Sequence, residues 1–200
     1  MSWNIFVTRR IPDAGLELLE KHCGSVEVFS KDRVMTHAEI MNEVPGRHGL
    51  LCLLTDTIDK RIIAAGDKLR IIANYAVGYN NIDVAAASAR KIMVTNTPGV
   101  LTDATADLAW ALILGICRRI VESDRFTRAG EFHGWAPKLL RGGDLAGRTI
   151  GIVGAGRIGS AVARRAVGFA MHILYSSRSV NRSALMTMYK GGRSARPARM

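Results

Sequence analysis

Thr149-Ile-Gly-Ile-Val-Gly-Ala-Gly-Arg-Ile-Gly159 is an apolar strand that runs into Gly154-x-Gly156-x-x-Gly159 and then into a helix. Glycines at this spacing meet three needs. The first allows a tight turn, the second lets backbone amides approach a pyrophosphate, and the third lets helix and strand pack closely. The helix, opening at Arg157 and Ile158 and running to Gly168, offers free N–H groups and the positive end of its dipole to an anion, with the Arg157 charge beside them. An isolated Gly-x-Gly-x-x-Gly is weak evidence. Here Ile150, Ile152 and Val153 form the strand before it, and Met171-His-Ile-Leu-Tyr175 arrives at the spacing of a second strand. The turn therefore reads as the phosphate seat of a dinucleotide-binding βαβ unit rather than as a structural glycine turn.

The end of that second strand bears on which dinucleotide binds. Selection of NAD uses an Asp or Glu about 20 residues after the first glycine, where a carboxylate accepts the ribose 2′-hydroxyl. The residues at this place are Tyr175-Ser-Ser177-Arg178-Ser179, with no acid. Hydroxyls and a guanidinium can hydrogen-bond a 2′-phosphate that a carboxylate would repel. Ser177, Arg178 and Ser179 thus favour NADP, with NAD possible, and a solvated loop end with an unrelated arginine is the plainer alternative.

Upstream, short strands alternate with helices. Asn4–Thr8 reads as a strand and Pro12-Asp13 starts a helix with Leu16, Leu18 and Leu19 on one face. Ser25–Phe29 alternates as a strand, and Thr36-His-Ala-Glu39 has capping-box spacing at the head of a helix through Val44. Gly49–Leu54 and Arg70–Asn74 are nearly continuous apolar runs, the pattern of parallel strands covered on both faces. Helices at Asp59–Ala65 and Asp83–Arg90 fill the gaps, and Lys91–Asn96 returns as a strand. This spacing predicts an α/β chain with an open parallel sheet. After Pro98-Gly99 the pattern Leu108, Leu112, Ile116, Ile120 predicts one long helix over 102–129, a connector between domains, followed by a Gly-rich loop over 130–143. The partition is 1–100, 101–179 and a basic tail, 180–200, whose Gly, Arg, Ser and Pro content reads as disordered.

The chain has 48% hydrophobic and 22% charged residues, ordinary globular values, and no apolar run long enough to span a bilayer. Its N-terminus lacks a charged region followed by an apolar one, so it reads as a first strand and not as a signal peptide. Cys23, Cys52 and Cys117 are odd in number and lack metal-ligand spacing, so they read as reduced core thiols of a cytoplasmic protein and not as metal ligands. The net charge of +11 is concentrated late, since no Asp or Glu follows Asp144. Residues 1–179 hold 23 Lys and Arg against 17 Asp and Glu, a net of only +6, and no aromatic residues interleave the tail, so nucleic acid is a thin reading.

Four segments in order, Asn74-Tyr-Ala-Val-Gly-Tyr-Asn-Asn-Ile-Asp83, Val94-Thr-Asn-Thr-Pro-Gly-Val-Leu101, Thr105-Ala-Asp-Leu-Ala109 and Gly151-Ile-Val-Gly-Ala-Gly-Arg-Ile-Gly159, carry a resemblance to the D-isomer-specific 2-hydroxyacid dehydrogenases. Within them the chain looks most like glyoxylate/hydroxypyruvate reductases. The resemblance runs from residue 3 to about 179 and implies a flavodoxin-like N-terminal substrate domain, an interdomain helix and the first part of a Rossmann domain, which these residues leave incomplete. It implies NADPH-dependent reduction of a small 2-oxo acid, usually by a homodimer built through the coenzyme domain. Val77 and Gly78 match the backbone that holds the substrate carboxylate, Leu54 matches a substrate-pocket position, and Thr105 matches a position near the nicotinamide. Read alone, these would be a glycine turn after a strand, a core leucine and an ordinary helix residue.

Reduction of a 2-oxo acid also needs a cation to polarise the substrate and an acid to protonate the alkoxide. The resemblance places an Arg, a Glu and a His for this downstream of the glycine turn, and no such motif follows it here. His22, His37, His48, His133 and His172 lack a matching context, and Asp83 and Asp107 read as helix-start and helix-surface carboxylates. The change of character after Ser179 is the expectation for a frameshift or early stop in a longer frame, with a basic arm as the alternative. The 200 residues are then expected to be inactive. The competing expectation is a non-catalytic dinucleotide-binding or corepressor-like protein of the same fold.

Overall fold

The computed structural model describes residues 2–177 and the short strand Arg196–Pro197, and falls into two units, Met1–Val100 and Leu101–Met200. Arg178, Ser179 and the rest of the basic tail lie outside the described residues.

In the first unit, β1 (Asn4–Val7), β2 (Ser25–Val28), β3 (Gly49–Leu53), β4 (Ile71–Tyr75) and β5 (Met93–Thr95) form one parallel sheet in the order β2-β1-β3-β4-β5. This is the flavodoxin-like order, reached because each strand is followed by a crossover helix. The helices are α1 (Asp13–His22), α2 (His37–Glu43), α3 (Lys60–Ala65) and α4 (Val84–Ala89). Successive residues of β1 serve opposite faces, as the two-residue period of a strand requires. Phe6 joins the core of Leu50, Cys52, Ile62 and Ile72, while Ile5 and Val7 pack with Ile11 and Leu16 on the other side. Both faces are therefore covered, which is why β3 and β4 are apolar without alternation. Burial, with the Asp56 carboxylate adding to it, pushes the Cys52 thiol up to about 12, and no disulfide engages any of the three cysteines.

Local chemistry fixes the helix starts. Thr36 and Glu39 form the capping box, and the Arg33 guanidinium together with the Thr36 amide holds the Glu39 carboxyl well below the usual carboxylate range. Asp59 caps α3 by accepting from Arg61 and Ile62, and Asp83 caps α4 by accepting from Ala86 at 2.9 Å.

The second unit holds α5 (Thr102–Cys117), α6 (Ile120–Arg128), β6 (Thr149–Val153), α7 (Arg157–Gly168), β7 (His172–Ser176) and β8 (Arg196–Pro197). The strands are parallel in the order β6-β7-β8, and Leu174 pairs with Arg196. Trp110 of α5 stacks on Phe169 at 4.5 Å and donates its indole N–H to the Val162 carbonyl at 3.0 Å. Arg165 of α7 reaches back to Asp107 at 2.7 Å and Asp103 at 3.2 Å on α5. Ile152, Ile173 and Tyr175 are buried against these helices, whereas Val153 is 90% exposed. Among the described residues only one face of this sheet is packed.

One expected element differs. The single helix over 102–129 is two helices, broken at Arg118-Arg119, where Arg119 takes a left-handed φ of 54°. The Gly142-Gly143 loop packs onto the end of α5, and the Gly143 amide donates to the Cys117 carbonyl at 2.8 Å, consuming an acceptor that a continuing helix would use. No helix among the described residues is long and apolar enough to cross a membrane.

Candidate functional site

Ligands of open parallel sheets sit outside the carboxyl ends of the strands. In the first unit Leu54 follows β3 directly, and Tyr75 ends β4 paired with Leu53, so Leu54 and the Val77-Gly78 turn emerge side by side. Leu54 is 66% exposed rather than core, and Val77 and Gly78 are exposed too. An exposed leucine beside an exposed turn is what a small-ligand seat needs.

The turn is held from behind. The Thr97 amide donates to the Ala76 carbonyl at 2.8 Å, the Asn96 side-chain amide to the Val77 carbonyl at 2.7 Å, and the Asn74 side-chain amide to the Gly78 carbonyl at 2.8 Å. Asn74, 2% exposed, gives its second N–H to Asn81 Oδ1 at 2.9 Å. Asn81 in turn donates to the carbonyls of Leu53 at 3.1 Å and Asp56 at 3.0 Å. The buried Asp56 carboxylate closes the array, accepting from Thr8 Oγ1 at 2.5 Å and from the Leu53 amide at 2.8 Å. One network thus braces the turns that carry Leu54, Val77 and Gly78. The amides of Val77 and Gly78 donate to no protein acceptor among the described residues, which leaves them for an anion. Asn74, Asn81, Asn96 and Asp56 were not among the candidates in the sequence. The one signal that could have found them is that asparagine is unusual at the end of a buried strand unless its amide is used.

In the second unit the glycine turn has the geometry its spacing predicts. Gly154 takes φ +96°, a region that favours glycine, and its amide donates to the Ser176 carbonyl at 2.8 Å. That bond places the glycine turn against the end of β7, where Ser177 is exposed; Arg178 and Ser179 lie outside the described residues. A Cβ at Gly159 would stand 2.0 Å from the Gly154 carbonyl oxygen and 3.2 Å from Ile152 Cγ2, so the helix can approach the strand only without a side chain there. A Cβ at Gly156 would meet nothing within 4 Å, so internal packing does not require glycine there. Gly156 is also the N-cap of α7 and contributes no side-chain cap, leaving the first turn at Arg157, Ile158 and Gly159 open to an anion. These residues fit a dinucleotide pyrophosphate. Thr105 is exposed on α5 between Asp103 and Asp107, which both pair with Arg165.

The remaining candidates lie as ordinary structure. His37 sits 3.1 Å from Asp59, and His48 accepts from the Asn4 amide at 3.1 Å at the opposite end of the sheet from the Val77 turn. Asp107 pairs with Arg165, and no cluster of three or more metal-ligating residues occurs among the described residues.

Comparison with known proteins agrees in fold. A family model described as D-isomer specific 2-hydroxyacid dehydrogenase, catalytic domain, matches residues 5–191. A glyoxylate reductase from Thermococcus kodakarensis is 51% identical over 179 residues, covering 88% of this chain and 54% of that protein. A solved structure from Thermus thermophilus superposes with a TM-score of 0.83 at 42% identity, covering 89% of this chain and 57% of the other. Another, from a Polaromonas species and provisionally described as a D-isomer specific 2-hydroxyacid dehydrogenase, NAD-binding, gives 0.87 at 36% identity, covering 98% of this chain and 60% of the other. The chain spans about half the length of the curated relatives it matches.

Proposed function

Because the chain belongs to the D-isomer specific 2-hydroxyacid dehydrogenase family, we propose that its residues serve an oxidoreductase that uses NADPH to reduce glyoxylate or hydroxypyruvate to the 2-hydroxy acid. The observation that carries the reading is the pair of undonated amides at Val77 and Gly78 beside exposed Leu54. Relatives described as glyoxylate reductases support the small substrate.

In this reading the amides of Val77 and Gly78 hold the carboxylate and Leu54 packs on the carbon chain. Gly154, Gly156, Arg157, Ile158 and Gly159 hold the pyrophosphate, and Thr105 lies toward the nicotinamide. Ser177, Arg178 and Ser179 supply the hydroxyls and guanidinium suited to the 2′-phosphate of the adenosine ribose. When bound, the dinucleotide supplies the hydride, and the alkoxide oxygen then needs a proton from a protein acid. Among the described residues no histidine of the first unit hydrogen-bonds Leu54, Val77 or Gly78, and no Arg, Glu and His set follows the glycine turn within these 200 residues. That observation favours a second reading for the 200 residues taken by themselves, cofactor binding without turnover.

Purified 200-residue chain should bind NADPH more tightly than NADH, measured by fluorescence titration, and should not oxidise NADPH on addition of glyoxylate. Arg178→Asp should remove the preference. Turnover at an ordinary enzymatic rate would refute the view that these residues lack the acid, and an unchanged preference in Arg178→Asp would refute the assignment of the 2′-phosphate contact.

A further inference from the structure

A trans peptide directs its N–H opposite to its C=O, and no cis peptide occurs among the described residues. A tether on one carbonyl therefore aims the amide of the next residue. The Thr97 bond to the Ala76 carbonyl aims the Val77 N–H, the Asn96 bond to the Val77 carbonyl aims the Gly78 N–H, and the Asn74 bond to the Gly78 carbonyl aims the Tyr79 N–H. We propose that Asn96 is a positioning residue for the carboxylate of a small 2-oxo acid, acting through the backbone by fixing the Val77–Gly78 peptide plane whose amide receives it, while Asn74 braces the same turn one peptide further on. This rests on the reading of Val77-Gly78 as the carboxylate seat.

The two asparagines differ in what else they do. Asn74 is buried, and both of its N–H groups are used, one on Gly78 and one on Asn81, so it also ties the Val77 turn to the Leu54 turn. Asn96 is only partly buried, and the one side-chain hydrogen bond it makes among the described residues goes to the Val77 carbonyl. It caps no helix among the described residues. Holding that one peptide is the role its geometry leaves it. Without the tether the Val77–Gly78 peptide can rotate, because exposed Gly78 restrains it little, and the ordering would then fall on the bound state.

The test uses the whole 200-residue chain, 15N-labelled, titrated with oxamate, an unreactive mimic of a 2-oxo acid. The Val77 and Gly78 amide resonances should shift together and saturate. In Asn96→Ala the spectrum should keep its folded dispersion, oxamate should bind about tenfold more weakly, and the Gly78 shift should collapse while the Val77 shift, set by Thr97, persists. Asn96→Gln, which keeps the donor on a partly exposed stem, should recover part of the affinity and the Gly78 shift. If Asn96→Ala binds oxamate as tightly as the unsubstituted chain with the Gly78 shift intact, the positioning role is wrong and the seat stands. If the unsubstituted chain shows no saturable shift at Val77 and Gly78, the seat itself is wrong and the role falls with it.

Discussion

Gly156 and Gly159 are three residues apart, and a Cβ would have opposite consequences at each. At Gly159 it would collide with the Gly154 carbonyl, so Gly159→Ala should destabilise the second unit by roughly 1–3 kcal/mol, the usual range for overpacking. At Gly156 it would enter open space, and the backbone, at φ −74° and ψ −160°, accepts any residue. Gly156→Ala should therefore stay within about 1 kcal/mol of the parent in urea unfolding and lose NADPH binding. Equal loss of stability in both variants would contradict this division. The roles of these glycines were legible in the sequence because the motif encodes them in residue type and spacing. The bracing by Asn74, Asn81 and Asn96 was not, because each asparagine acts on a carbonyl brought near only by folding. Asn81, for instance, reaches Leu53 across 28 positions of chain.

The elements of the first unit were legible nearly to the residue, since each strand is a short apolar run and three of its four helix starts carry a side-chain cap, the fourth being opened by Pro12. The break between α5 and α6 was not. Leu112, Ile116 and Ile120 keep helical spacing straight through it, but Ile116 is 78% exposed and so reports no continuous buried face. What ends α5 is the arrival of Gly142-Gly143 from a distant loop, a tertiary event that local periodicity does not record. The left-handed conformation at Arg119 then carries strain that glycine would relieve. Arg119 also pairs with Glu122, so Arg119→Ala is the proper reference, losing that pair while keeping a Cβ. Arg119→Gly should be more stable than Arg119→Ala by about 0.5–1 kcal/mol in urea unfolding. The reverse order would mean that the residue leaves the left-handed region in solution.

The two units are unequally built. The first has five strands with both sheet faces covered, whereas the described part of the second has two full strands, a two-residue third and one bare face. Less buried apolar surface per ordered residue means less stability. The chain should therefore unfold in two steps, the second unit first. Trp110 lies in the second core and Trp3 in the first unit, so single-tryptophan variants should report separate urea midpoints, with that of Trp110 lower. Coincident midpoints would show that the units unfold as one. The braced turn at Val77 and Gly78 also bears on where heritable information about binding resides. If amides and not side chains meet the ligand, as proposed, the letter at position 77 can drift among residues that keep the same backbone path. The letters that must be preserved lie at Asn74, Asn96 and Asn81, none of which touches the ligand in this arrangement. A substitution tolerated in the pocket and forbidden behind it would be the mark of such a site.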